Sequence, residues 1–185
     1  MTPGPNNIML ASSGARFGVK RTLPHYVGIP IGFACMLLAS AYGLGWVFEQ
    51  APWAQTVLKY ASLLYLVYLS FRIMTSKIPS NSKEGEQNNK TRPLYIWESM
   101  LFQVVNPKAF VMTSTSISTF AIHGELYLAS VLLMCAVFIF TGPLGMAGWM
   151  FLGTVLGKLL KDPIVFRTFN VVMGLLTLGS AFWAV

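Results

Sequence analysis

The chain has 185 residues, of which 55% are hydrophobic and only 10% are charged, and its net charge is +7. Soluble domains carry charge on roughly a quarter of their residues, so this composition excludes a water-soluble globular protein and predicts a membrane protein. The basic residues fall between apolar runs and form no continuous stripe, which argues against a nucleic-acid partner.

The first apolar segment, residues 2–15, opens with the helix-breaking sequence TPGP. At about 1.5 Å per residue this segment covers roughly 21 Å, which is less than the roughly 30 Å hydrocarbon core of a bilayer. We therefore expect a truncated first helix whose break at Pro5 lies about halfway across the membrane.

Five further apolar runs are long enough to cross a membrane as helices: residues 23–48, 53–73, 98–120, 126–152 and 163–185. A polar connection, residues 75–97, separates the third segment from the fourth. The sequence thus predicts an all-α polytopic membrane protein with five full transmembrane helices. It would consist of a first three-helix repeat (1–74), a loop (75–97) and a second three-helix repeat (98–185).

The charges of the connections predict the orientation. Eleven of the thirteen basic residues border connections on one predicted side: Arg16, Lys20, Arg21, Arg72, Lys77, Lys83, Lys90, Arg92, Lys158, Lys161 and Arg167. The connections on the opposite side carry Glu49 and Glu125 but no Lys or Arg. Because basic loops stay inside, we expect these connections, including 75–97, to be cytoplasmic and the C-terminus to lie outside.

Matched Gly-Pro sequences suggest that the two halves form an inverted repeat, a common plan of secondary transporters. The first segment of each half is broken, by Pro3-Gly4-Pro5 and by Asn106-Pro107-Lys108. The second segment of each half carries GIPIG (28–32) or TGPLG (141–145), and we expect an interruption at both. The alternative is that Gly and Pro are simply frequent in membrane helices.

The two breaks in the first segments predict an anion site. Asn106-Pro107 and Gly4-Pro5 are typical helix starts, and each start presents N–H groups and a partial positive charge. If both starts meet at the midplane, they favour an anionic group such as a carboxylate. Lys108 would supply a countercharge there. Its alternatives are snorkelling to the interface or structural pairing with a carboxylate, for which Glu98 is the nearest candidate.

The sequence lacks the motifs of several other functional classes. The sequence contains no nucleotide-binding glycine loop, HExxH or GxSxG, so we expect no enzyme activity, no ATP-driven pumping and no cofactor. Two cysteines in apolar runs are too few for a metal site. The Ser and Thr residues between 113 and 119 fit either helix packing or the lining of a cavity.

Several stretches together resemble the LysE/RhtB family of bacterial amino-acid exporters: TPGPNN, GARFG, GIPIG, LKYASLLYLVYLSFRI and NPKA. With SISTF at the end of the fourth segment, the chain most resembles the branch of cysteine and O-acetylserine exporters. The resemblance covers nearly the whole chain. It implies six transmembrane helices, a place in the bacterial inner membrane and proton-driven efflux of small amino acids or related metabolites. The motif residues that carry over as substrate-binding are Pro3, Gly4, Pro5, Asn6, Asn106, Pro107 and Lys108.

One departure concerns the N-terminus. Members of the family carry a further apolar stretch ahead of TPGP, whereas Met1 stands directly before it here. Either Met1 is an internal methionine or the protein is shortened, and we expect the former.

The sequence therefore predicts an exporter with a small amino-acid substrate, surrounded by membrane lipid. A homo-oligomer is compatible with this sequence, but no residue pattern indicates one. The competing hypotheses are a degenerate, non-transporting membrane protein and an ion channel.

Overall fold

A computed structural model describes residues 4–44, 50–75, 92–159 and 162–183. Within these ranges the chain is helical and contains no strand. The α-helices are α1 (Pro5–Ala39), α2 (Pro52–Met74), α3 (Ile96–Val105), α4 (Pro107–Phe120), α5 (Tyr127–Leu159) and α6 (Pro163–Trp183). A π-helix (Ser40–Leu44) extends α1, and a 3-10 turn (Gly124–Leu126) precedes α5. The predicted site residue Pro3 and most of the predicted loop, residues 76–91, lie outside the described residues.

Helix α1 folds back on itself at Gly18. Gly18 has φ 73° and ψ 174°, in the left-handed region that glycine adopts readily. The residues on either side form an N-terminal limb (5–17) and a C-terminal limb (19–39). The limbs lie side by side, since the hydroxyl oxygens of Ser13 and Thr22 are 3.0 Å apart. These limbs correspond to the first two predicted segments. The prediction left residues 16–22 as the connection between them, whereas in the structure only Gly18 departs from helical dihedral angles.

The predicted break at Asn106 is confirmed. Helix α3 ends at Val105, and Asn106 takes extended dihedral angles (φ −88°, ψ 104°) before α4 begins at Pro107. The Asn106 side chain accepts a hydrogen bond from the backbone N–H of Lys108 at 3.2 Å. The asparagine cap and the proline at the first helical position thus start a new helix for the reason that the sequence indicated.

The predicted interruptions at Pro30 and Pro143 are wrong. Both prolines lie inside continuous helices, and only Gly18 has non-helical dihedral angles within α1. A proline removes one backbone hydrogen bond, and membrane helices tolerate this loss where neighbouring helices support the backbone. Such support is present, because Pro30 is buried and the Tyr26 hydroxyl donates to the Pro143 carbonyl at 2.9 Å.

Helices α1 and α5 approach each other closely through small residues. Gly153 and Gly157 are spaced four apart on α5 and face the N-terminal limb of α1. A Cβ on Gly153 would overlap the carbonyl oxygen of Ala11, and a Cβ on Gly157 would overlap that of Ala15. This is the small-residue packing by which membrane helices bring their backbones together. It anchors the N-terminal limb and thereby fixes the position of its first turn.

The outer surface is strongly apolar. Large apolar side chains such as Leu64, Phe140, Leu144 and Ile164 are at least 72% exposed. Two helical stretches, Pro5–Gly43 and Gly124–Gly157, are long and apolar enough to cross a membrane, although the first is divided at Gly18. A surface of this kind suits lipid better than water.

Candidate functional site

The first turns of α1 and α4 meet at a central cavity of about 400 Å³. Helix α1 runs away from the cavity toward the basic turn at Gly18, and α4 runs away from it toward Phe120. The lining residues are Gly4, Pro5, Asn6, Asn7, Ile29, Pro30, Phe33, Asn106, Lys108, Ala109, Met112, Phe138, Gly142, Gly145 and Met146. Small-molecule sites typically have volumes of roughly 300–1,000 Å³ and mostly apolar walls with a few polar groups, and this cavity has both properties.

The structure brings most of the predicted site residues together. Those that line the central cavity are Gly4, Pro5, Asn6, Asn106 and Lys108. Pro107 begins α4 but does not line the cavity, so its role is to start the helix. Residues from the two halves of the sequence therefore converge on one space.

The Lys108 side chain lies directly against Gly4. A Cβ placed on Gly4 would stand 3.2 Å from both Cδ and Nζ of Lys108. The ammonium group thus reaches the first turn of α1, whose N–H groups carry a partial positive charge. One region of the cavity consequently combines a lysine with a helix N-terminus, both of which attract an anion.

The two helix starts differ in how their N–H groups are satisfied. Asn106 caps α4 through its side chain, so one donor of α4 is already bonded. At the start of α1 the N-cap residue is Gly4, which has no side chain with which to make such a bond.

A pair of hydrogen-bonded side-chain amides joins the two breaks. The Asn6 amide nitrogen donates to the Gln103 side-chain oxygen at 2.9 Å, and the Gln103 amide nitrogen lies 3.2 Å from the Asn6 oxygen. Gln103 is fully buried and also donates to the Ser99 carbonyl at 2.9 Å. The sequence analysis missed Gln103, although a glutamine inside an apolar run is itself a signal of a buried polar contact.

The Gly-Pro sequences of the second segments contribute to the cavity wall. Pro30, Gly142 and Gly145 all line the cavity, although neither helix is interrupted there. A Cβ on Gly142 would meet only the Met146 side chain, at 3.8 Å. Gly142 therefore leaves open volume where a larger side chain would project. Gly28 and Gly32 serve packing instead, because a Cβ on either would overlap the backbone of α3 at Ile96 or Met100.

Glu98 is not the partner of Lys108. Its two carboxylate oxygens accept hydrogen bonds from Arg92 at 2.6 and 2.7 Å, and one of them also accepts from the Tyr95 backbone N–H. These bonds raise the pKa of Arg92. The structural pairing considered for Lys108 with this carboxylate is thus wrong.

The hydroxyl residues of α4 serve packing. Thr113 donates to the Phe110 carbonyl of its own helix and receives a hydrogen bond from Ser40, while Ser118 donates to Thr115. None of the Ser and Thr residues of α4 lines the central cavity. Of the two explanations for this polar run, the structure supports helix packing.

The family model for LysE type translocators matches residues 1–184. The chain belongs to the LysE type translocator family. The similar proteins include cysteine/O-acetylserine efflux proteins of Escherichia coli. The chain is 31% identical to that of strain UTI89 and 30% identical to that of strain HS. Each similarity spans 98% of this chain and 89% of the relative. No solved structure matches the chain.

Because the chain belongs to the LysE type translocators, the central cavity is a candidate place for bound cargo. A translocator needs a place where its cargo is held among the helices, and such places in transporters lie where helices are broken. In this translocator the break at Asn106 and the start of α1 at Gly4 border one cavity. Membership also agrees with the lack of hydrolase and nucleotide-binding motifs in the sequence.

Proposed function

We propose that this translocator exports small amino acids or related metabolites, with cysteine and O-acetylserine as the first candidates, and binds them in the central cavity. The observation that carries the proposal is the contact of the Lys108 side chain with Gly4 at the start of α1. A substrate carboxylate placed there would meet an ammonium group and the N–H groups at the start of a helix together. Charge-assisted hydrogen bonds of this kind are roughly twice as strong as neutral ones.

The same cavity suits the rest of an amino acid. Helix α3 ends at Val105 beside the cavity, and the last carbonyl groups of a helix carry a partial negative charge that favours an ammonium group. The walls formed by Phe33, Phe138 and Met112 suit a small, weakly polar side chain. Lys108 and the start of α1 would thus meet the carboxylate of a zwitterion, and the end of α3 would meet its ammonium group.

Transport would follow alternating access between the two three-helix halves, 1–74 and 98–185, arranged as an inverted repeat. We place the protein in the bacterial inner membrane, with the basic connections and residues 75–97 in the cytoplasm and the C-terminus outside. An inward proton gradient would drive efflux by antiport. The positive-inside rule supports this orientation, and helix starts at corresponding places in both halves support the repeat.

The test is efflux of radiolabelled cysteine and O-acetylserine from proteoliposomes, with lysine as a larger basic comparison. We expect saturable efflux of the small amino acids that accelerates under an opposing proton gradient. Lys108→Met should reduce it to the background of empty liposomes, because the carboxylate loses its countercharge. Lys59→Met is the matched control, since Lys59 is an exposed lysine of α2 outside the cavity.

The outcomes separate this proposal from its rivals. Efflux that is unchanged in Lys108→Met would remove this lysine from the mechanism. Efflux of no tested amino acid, from protein that is correctly inserted, would favour a non-transporting membrane protein. Currents without saturable amino-acid efflux would indicate a channel.

A further inference from the structure

A second, smaller cavity of about 90 Å³ lies at the end of the protein that carries the basic connections. It is formed by the end of the N-terminal limb of α1, the beginning of the C-terminal limb, the end of α2 and the residues ahead of α3. Its lining includes Ser12, Arg16, His25, Arg72 and Arg92. None of its lining residues is shared with the central cavity, so the two spaces are distinct.

The charge around this cavity is positive. Three arginines from three different parts of the chain line it: Arg16, Arg72 and Arg92. Arg92 is held by Glu98, which also interacts electrostatically with Arg72, and no acidic side chain of the described residues lines the cavity itself. Arg16 and Arg72 both line this cavity, and an anion bound between their guanidinium groups would reduce the repulsion between the two like charges.

Buried polar groups without partners point into the same space. His25 is 1% exposed, and neither of its ring nitrogens has a hydrogen-bond partner among the described residues. The Ser12 hydroxyl is likewise buried and lacks a partner there. A buried polar group without a hydrogen-bond partner lowers the stability of the folded protein. Proteins therefore normally provide such a group with water, an ion or a ligand as its partner. A neutral imidazole and a hydroxyl can each donate one hydrogen bond to an anion.

We propose that this cavity, defined by Ser12, Arg16, His25 and Arg72, is a binding site for a small anion. Its volume of about 90 Å³ leaves room for a small anion such as one carboxylate group or one halide ion. Two sources share this chemistry. The anion is either the carboxylate of a substrate approaching from the cytoplasm, an assignment that rests on the proposed function, or a free inorganic ion.

Anion binding can be measured without transport. The full-length protein carrying Lys108→Met, which weakens the central cavity for anions, is purified in detergent. Its thermal unfolding midpoint is then followed while sodium chloride or sodium acetate replaces sodium isethionate, a larger anion that has no carboxylate group, at constant ionic strength. We expect a saturable rise with at least one of the small anions.

Two variants and one control locate the effect. Arg72→Gln removes an exposed charge at the cavity, and Ser12→Ala removes one hydroxyl with little change of volume. Each should raise the half-saturating anion concentration, by about tenfold for Arg72→Gln, which corresponds to the loss of one charge-assisted contact. Lys20→Gln removes an exposed basic residue on the same side that does not line the cavity, and it should leave the titration unchanged.

The outcomes are distinct from those of the efflux test. Stabilisation by chloride alone assigns the site to an inorganic ion, and stabilisation by acetate assigns it to a carboxylate. The absence of any saturable rise, or a rise that Arg72→Gln leaves unchanged, overturns the proposal. Because the readout is binding in the Lys108→Met protein, failure here leaves the export proposal untouched.

Discussion

At the scale of single residues, the site depends on the contact between Gly4 and Lys108. A lysine deep in a bilayer costs about 2.5–3.5 kcal/mol on insertion scales, so such a residue usually faces the protein interior or a polar cavity. Lys108 does so here, since its side chain lies along the backbone at Gly4 and lines the central cavity. Glycine at position 4 leaves the space that this arrangement needs.

Gly4→Ala tests that contact. The added methyl group would lie 3.2 Å from Cδ and Nζ of Lys108, which is closer than ordinary van der Waals contact, so the lysine must move. We expect the substrate concentration that gives half-maximal efflux to rise about tenfold, equivalent to roughly 1.4 kcal/mol, while the protein remains folded.

Gly148→Ala is the matched control, because a Cβ on Gly148 meets no atom within 4 Å. It should leave efflux and the thermal unfolding midpoint close to those of the wild type. Equal behaviour of Gly4→Ala and Gly148→Ala would show that the position of the lysine does not matter for transport.

The sequence predicts those site residues whose signals come from neighbouring positions in the chain. Asn106 and Lys108 were recognisable because their helix-start and charge patterns lie within a few residues of one another. Gln103 was not, since its partner Asn6 lies 97 positions away and only the folded chain joins them. The partner of Glu98 was misjudged for a related reason. Arg92 lies within the predicted loop, 75–97, yet it binds Glu98 in the first turn of α3.

At the scale of helices, the ends of α1, α3 and α4 create the site, and the small residues of α5 hold it in place. A helix start needs only a cap and a proline, which the sequence displays. Whether a proline within a helix interrupts it cannot be predicted from the local sequence, because the contacts with neighbouring helices decide whether the backbone breaks. At Pro30 and Pro143 the helices continue, and this packing could not be read from the sequence.

The close contact of α1 and α5 yields a stability prediction. Gly153→Leu would force a side chain into the Ala11 carbonyl and push the N-terminal limb of α1 away from α5. Overpacking of this kind costs typically 1–3 kcal/mol, and we expect a clear fall of the thermal unfolding midpoint in detergent.

Gly148→Leu introduces the same side chain on α5 at a position with open space and should change the midpoint little. If both substitutions lower the midpoint equally, the packing of α1 on α5 at Gly153 is not a determinant of stability.

At the scale of the whole molecule, the helices form a structure with an apolar surface, and the described residues line two separate cavities. The proposed orientation places the small cavity and the basic turn at Gly18 toward the cytoplasm. Composition and charge distribution predicted the apolar, helical character of the chain. They could not predict that the small cavity exists, because His25, Arg16 and Arg72 come together only through packing of α1 against α2.

Labelling of single cysteines tests the orientation. In a protein with Cys35→Ala and Cys135→Ala, a cysteine is introduced as Lys20→Cys or as Glu125→Cys, both at exposed positions. A membrane-impermeant maleimide added to intact spheroplasts should label the Glu125→Cys protein and leave the Lys20→Cys protein unlabelled until the membrane is permeabilised. The reverse pattern would invert the proposed topology.

The central claim is that the cavity recognises a carboxylate through Lys108 and the start of α1. The most direct measurement is the affinity of purified protein for cysteine and for cysteine methyl ester, which lacks the negative charge, in the wild type and in Lys108→Met. We predict that the wild type binds the acid at least about tenfold more tightly than the ester, as expected for a charge-assisted contact, and that Lys108→Met removes this preference. Equal affinity of the wild type for acid and ester would contradict the account.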